Sequence, residues 1–181
     1  MNRKQELLQV AEKKVREGGY NNFSFRELAK EIGIKSASVH YHFPTKEDLA
    51  AQLAKQYTDN FINALGNPKT LYDCGTDPII FFASLFKHSL EQDKKMCLCG
   101  LLGAESDILP PLVRVEIKRF FRKNLAWLEQ AYSYDQQLSE ARVKQLAIQT
   151  ISLLEGAMMI SIVNNDNTIF DSALAGLISI K

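Results

Sequence analysis

The sequence is poor in the residues that build chemistry into small proteins. Its 181 residues hold three cysteines, three histidines and one tryptophan. Three is an odd number, and no export signal precedes the first helical stretch, so the thiols read as free in a reducing cytoplasm. Cys97-x-Cys99 lacks the Cys-x-x-Cys spacing and has no second Cys or His cluster to finish a tetrahedral site, so no metal is assigned. Gly-x-Ser-x-Gly, a phosphate-binding glycine loop and a defensible Ser/His/Asp set are all missing. No catalytic residue and no cofactor are therefore assigned, and an enzyme is not expected. No stretch reaches the roughly 18 apolar residues of a membrane span. The longest, 151–163, is interrupted by Glu155. Convincing period-two alternation is also lacking, which excludes a sheet and leaves an all-α class.

Charge of one sign is lacking overall, since the net charge is +1. The distribution says slightly more. Residues 1–56 hold ten Lys/Arg against seven Asp/Glu, an excess of +3, and the remaining twelve against fourteen give −2. The basic excess lies where a phosphate-facing surface is read below.

The most informative stretch runs over 24–46. Ser24 can cap a helix and Glu27 completes a capping box. Phe25, Leu28, Ala29 and Ile32 give that helix one apolar stripe, and Gly33 ends it in the left-handed conformation. A second helix follows over 35–43, closed by Pro44. Val39 and Phe43 point inward. Ala37, Ser38 and Tyr41, flanked by His40, make a face that is small, polar and aromatic, and Lys35, Ser36 and His42 lie on the same helix. Two short helices with a tight turn form a helix-turn-helix, whose second helix lies in the DNA major groove. Hydroxyls and imidazoles bond phosphates and base edges, so these residues, with Ser24, Arg26 and Lys46, are the candidate DNA contacts. The alternative is a plain helical hairpin, whose outer face more often carries Glu and Lys.

Residues 1–55 resemble the TetR family of bacterial transcription regulators. The resemblance rests on Ser24-Phe25-Arg26-Glu27-Leu28-Ala29, Gly33-Ile34 and the run Val39-His40-Tyr41-His42-Phe43-Pro44-Thr45-Lys46-Glu47-Asp48-Leu49. The family usually has Tyr where this chain has His40, and a variable residue at Tyr41, so the contact roles of those two stay open. The resemblance implies a homodimer on a palindromic operator in double-stranded DNA, a small-molecule effector, and a lever helix between two halves.

About nine helices are expected, over 3–17, 24–32, 35–43, 45–65, 77–90, 98–105, 111–132, 139–163 and 168–178, with loop over 66–76. Domains are placed at 1–47 (three-helix DNA-binding) and 48–181 (effector-binding and dimerisation). The 139–163 helix is apolar most of the way round, so one side needs a partner. Leu153, Ala157 and Ile160, with Leu174, Ala175 and Ile178 of the last helix, are the candidate dimer interface, as the resemblance also implies. Arg114, Lys118, Arg119, Arg122 and Lys123 read as a solvated face rather than a second nucleic-acid patch. A largely apolar effector pocket is expected from Phe82, Phe86, Cys99, Glu105, Phe120, Trp127, Glu155 and Met158. Aromatics at helical spacing equally make plain core, and Cys97 and Cys99 equally serve as small buried hydrophobes or as redox sensors. Two functions remain: an effector-released repressor, or a constitutive DNA-binding or nucleoid-associated protein of the same fold.

Overall fold

The computed structural model describes residues 2–179, with side chains over 2–178. Among the described residues the structure is all helix: α1 (Arg3–Gly18), α2 (Phe25–Glu31), α3 (Ser36–His42), α4 (Lys46–Leu65), α5 (Pro68–Asp73), α6 (Pro78–His88), a π-helical turn (Ser89–Asp93), α7 (Leu98–Ala104), α8 (Pro111–Tyr132), α9 (Glu140–Asn164) and α10 (Thr168–Ser179). The class is the expected one. The segment expected as loop over 66–76 contains α5. Asn67 accepts from Lys69 N–H at 2.8 Å and Pro68 takes the first helical position, where its missing N–H costs nothing.

Local chemistry sets most of the other ends. Thr45 and Asp48 form a reciprocal cap at the start of α4: Asp48 N–H donates to Thr45 Oγ1 at 3.1 Å, and Thr45 N–H to Asp48 Oδ2 at 3.0 Å. Asp77 caps α6 through the N–H groups of Ile79 and Ile80, and Ser139 caps α9 through Arg142 N–H. Asn165, at φ 50°, closes α9 in the left-handed conformation that asparagine tolerates best after glycine.

The chain forms two compact units. The first is Met1–Asn60 with Leu98–Phe120, and the second is Phe61–Cys97 with Phe121–Lys181. The boundaries fall inside α4 and α8, so each of those helices contributes residues to both. The sequence reading cut the chain once, at residue 47. By compactness the first unit also takes most of α4, all of α7 and the start of α8.

In the first unit, Leu7, Leu8, Ala11 and Val15 of α1 are buried with Leu28, Val39, Phe43, Leu49 and Leu53. The segment 98–120 supplies Leu98, Cys99, Leu102, Val113 and Phe120, all buried. Fully burying such a side chain contributes about 1.5–3 kcal/mol. Glu105 Oε2 accepts from the N–H of Tyr20 at 2.8 Å. The preceding residue, Gly19, has φ 79°, and a Cβ there would run into the Glu105 carboxylate. Glycine is thus required twice over.

The second unit is built on aromatic packing. The rings of Phe61, Phe82, Phe86 and Trp127 meet at centroid distances of 5.4 to 5.8 Å. Trp127 Nε1–H donates to Gly66 O at 2.8 Å. One side of α9 buries Leu146, Ala147, Ile151, Leu154, Ala157 and Met158. By length and mean hydropathy α9 is long and apolar enough to cross a membrane, a wider window than the 151–163 run weighed from the sequence. Its buried side also carries Thr150 and Ser161, and Thr150 shares a 2.7 Å hydrogen bond with Tyr132 Oη.

Candidate nucleic-acid interface

The helix-turn-helix is held by short-range bonds. Ser24 Oγ accepts from Glu27 N–H at 3.3 Å and donates to Glu27 Oε2 at 2.9 Å. Gly33, at φ 70°, lets Ile34 N–H turn back to Ala29 O at 2.9 Å, which closes α2. Val39 is fully buried and Phe43 nearly so. Those two anchors fix the rotation of α3 about its axis. Ser36, Ala37, Ser38, His40 and Tyr41 are consequently exposed, and Tyr41 is 85% exposed.

The two open positions now differ. His40 packs its ring edge-on against Phe25 at 4.8 Å, and its Nδ1 lies 3.3 Å from Pro44 O. A carbonyl only accepts, so that bond needs the proton on Nδ1, which leaves Nε2 as the outward group. Tyr41 meets the ring of His42 in a T-shaped contact at 5.2 Å. His42 is half-buried and lines a shallow groove of about 300 Å3 with Lys4, Pro44 and Asp48. It therefore belongs less to the outer face than the sequence suggested.

The side chains of Arg26 and Lys35 are exposed, with no hydrogen-bond or ion-pair partner among the described residues. Lys46 is placed otherwise. Its ammonium lies over the rings of Tyr20 (4.7 Å) and Phe23 (4.6 Å). Burial there pulls the Lys46 ammonium below the usual lysine range, and the charge of Glu27 opposes this less strongly. The same burial raises the Tyr20 phenol, with a smaller push from Glu47. Lys46 thus anchors the start of α4 onto the loop before α2. Sequence spacing did not show that role.

The eight expected effector residues fall in two units. Cys99, Glu105 and Phe120 belong to the first, where Cys99 and Phe120 are core and Glu105 is bonded to Tyr20. Phe82, Phe86, Trp127 and Met158 are close-packed core of the second. Glu155 sits beside them with both carboxylate oxygens buried and no well-aligned donor on either. Burial raises it to about 7, and the Cys97 thiol lowers it less. An opening in the second unit lies elsewhere. A half-open cleft of about 840 Å3 lies between α5, the start of α6, the end of α8 and the start of α9. Tyr72, Asp77, Tyr132, Tyr134 and Asp135 are among its walls. None of the eight lines it.

Of the expected interface residues, Ile160, Ala175 and Ile178 are exposed, and Leu153 and Leu174 half-buried. Ala157 is buried within its own chain. The sequence reading turned it outward because α9 is apolar nearly all round, which hides the direction of its inner face. Ile148, Met159 and Val163, which were not among the expected interface residues, are also exposed on α9. Gly156 and Gly176 have open space where a Cβ would stand.

The buried anchors and the bare face of α3 define a helix-turn-helix DNA-binding protein. Residues 7–53 match the pattern of the bacterial regulatory proteins, tetR family. The chain is 25% identical over 171 residues to the HTH-type transcriptional regulator YxaF of Bacillus subtilis, covering 91% of this chain and 87% of that protein. It is 29% identical over 89 residues to the HTH-type transcriptional repressor KstR2 of Mycolicibacterium smegmatis, covering 49% of this chain and 42% of that one. The crystal structure of a TetR transcriptional regulator from Legionella pneumophila superposes with a TM-score of 0.87 at 29% identity, covering 99% of this chain and 97% of the other. Its N-terminal helix-turn-helix is of the TetR-family type, and over its whole length the chain is similar to TetR-family regulators. That family is one of regulators, not enzymes.

Proposed function

We propose that this protein is a transcriptional repressor that binds a palindromic operator as a two-fold homodimer through α3, and that a small molecule in the second unit releases it. The observation that carries the DNA reading is the exposed face of Ser36, Ala37, Ser38, His40 and Tyr41 on a helix locked by Val39 and Phe43. Arg26 and Lys35 flank it as phosphate contacts, which position the protein without reading sequence. KstR2, similar over 89 residues of this chain, is itself named a repressor.

The dimer reading is supported by the outer face of α9 and α10. Ile148, Met159, Ile160, Val163 and Ile178 lie exposed there. Glycine within a helix costs about 0.5–1 kcal/mol relative to alanine. Among the described residues, Gly156 and Gly176 have no neighbour that needs the space. A second copy approaching closely gives both glycines a use. For the effector, the sequence suggested an apolar pocket among Phe82, Phe86, Trp127 and Met158. The packed rings leave that region filled, and the cleft near Tyr132 takes its place as the site. Coupling runs through α4 and α8, the helices shared by both units. A ligand favouring one disposition of those helices shifts the population toward it.

The test is selection of DNA from a random pool by the purified full-length protein. A two-fold-symmetric consensus, with half-sites about one helical turn apart, is the expected result. Selection without sequence preference would replace this reading by a constitutive, nucleoid-associated one.

A further inference from the structure

We infer that His40 reads one base pair of each operator half-site as a hydrogen-bond acceptor, taking an N–H of the exocyclic amino group of adenine or cytosine. The inference rests on reading α3 as the operator-facing helix, and adds which atom discriminates and against what. The ring is held at two points within the first unit. Its Nδ1 lies 3.3 Å from Pro44 O. It stands edge-on to Phe25, with centroids 4.8 Å apart and planes 68° apart. Phe25 opens α2 and Pro44 follows α3, so both helices of the motif fix this side chain. A carbonyl oxygen only accepts, so the proton of the neutral ring sits on Nδ1 and Nε2 carries a bare lone pair. His40 is exposed, and Nε2 has no partner among the described residues. Turning the ring to present a donor would break the Pro44 bond. The acceptor is also ordered before DNA arrives, so little rotamer freedom is lost on binding.

The other exposed residues of 36–41 cannot make this distinction. Ser36, Ser38 and Tyr41 carry hydroxyls, which donate or accept as their proton turns. Ala37 has no polar side-chain atom, and Arg26 and Lys35 beside the face only donate. A fixed acceptor is therefore the group here that can reject a base by the kind of edge it shows. In the major groove the donors are the N6 amino group of adenine and the N4 amino group of cytosine. Guanine O6 and N7 and thymine O4 are acceptors. Set against Nε2, those atoms put lone pair against lone pair, and both groups lose their bond to water. Each base pair carries one such amino group, on one strand only. His40 thus fixes which strand carries it. Inverting that pair removes the donor, whereas exchanging adenine for cytosine on the same strand keeps it.

The experiment selects DNA from a random pool with the full-length protein and with His40→Ala, at mildly alkaline pH, where an imidazole is ordinarily neutral. The expected result is a symmetric site in which His40→Ala relaxes the preference at one pair of each half-site. At that pair the amino group is then deleted, with purine in place of adenine or 2-pyrimidinone in place of cytosine. Separately, a 7-deazapurine removes the N7 acceptor and keeps the amino group. Fluorescence anisotropy should show the amino deletion weakening the parent protein about five- to tenfold and sparing His40→Ala. The deaza change should act on both proteins alike. Nitrogen-15 NMR of the free parent protein needs no variant, and should show Nδ1 protonated and Nε2 bare. A proton on Nε2, a His40-dependent loss that follows N7, equal losses from amino deletion in both proteins, or a symmetric site at which His40→Ala relaxes no pair, each overturns the inference and leaves the operator reading standing. A pool without sequence preference overturns both.

Discussion

At the scale of single residues, the side chains that matter are those whose surroundings contradict their chemistry. Tyr41 is an aromatic ring in water on the outer face of α3, and His40 beside it is half-engaged by Phe25 and Pro44. Tyr41→Ala is expected to cost about 1–3 kcal/mol on the specific operator with unchanged thermal stability, read by fluorescence anisotropy and calorimetry. Full affinity in that variant would move recognition to another residue. Glu155 is the opposite case, an acid without water. Its carboxyl is raised by burial from 4.5 to about 7. The folded chain therefore holds a proton that the unfolded chain has released across that window. Stability is unaffected below it, falls as pH rises through it, and is flat above it. The loss amounts to roughly 3 kcal/mol. Glu155→Gln should flatten this slope in urea titrations run from mildly acid to mildly alkaline pH. The sequence showed Glu155 as an acid in an apolar helix. It did not show that the carboxylate lacks a well-aligned donor, because that depends on packing from elsewhere in the chain.

At the scale of elements, what could be read from the sequence was what is written within four residues. The caps Ser24/Glu27, Thr45/Asp48 and Asp77-Pro78 all stand where their helices begin. Asn67-Pro68 carries the same cap-and-proline signal as Asp77-Pro78. It was outweighed by the glycines on either side, Gly66 and Gly75, so α5 was taken for loop. The π-helical turn at 89–93 has no signature of that kind. Faces were harder than ends. On α9 the apolar residues go nearly all round, so the pattern could not tell Ala157 (buried) from Ile160 (exposed). The two now make a paired prediction. Ile160→Glu should leave the monomer folded and shift sedimentation from dimer to monomer, as should Ala175→Glu on α10. Ala157→Glu should lower the melting temperature of the chain itself, because it buries an unpaired charge, costing several kcal/mol. A dimer unchanged in both Ile160→Glu and Ala175→Glu would place the interface off α9 and α10. The cleft was not legible either: its walls come from four helix ends, and the aromatic spacing of α6 and α8 pointed at what turned out to be core.

At the scale of the whole molecule, the feature with the longest reach is the hydrogen bond from Tyr20 to Glu105, eighty-five residues away along the chain. The unit that carries α3 is discontinuous, since 98–120 returns to complete it. A hybrid regulator joining residues 1–60 to a foreign C-terminal half therefore discards Glu105, and with it Leu98, Leu102 and Val113. An unsatisfied buried N–H alone costs about 1–3 kcal/mol, and each lost apolar side chain adds to that. Such a hybrid should melt below one that also carries 98–120, compared by differential scanning calorimetry. Equal melting would mean that the N-terminal helices stand alone. The same geometry bears on descent. A single crossover within the gene separates Tyr20 from Glu105, so new pairings of operator and ligand should arise in this lineage by substitution within each unit, or by double exchange, more readily than by simple shuffling.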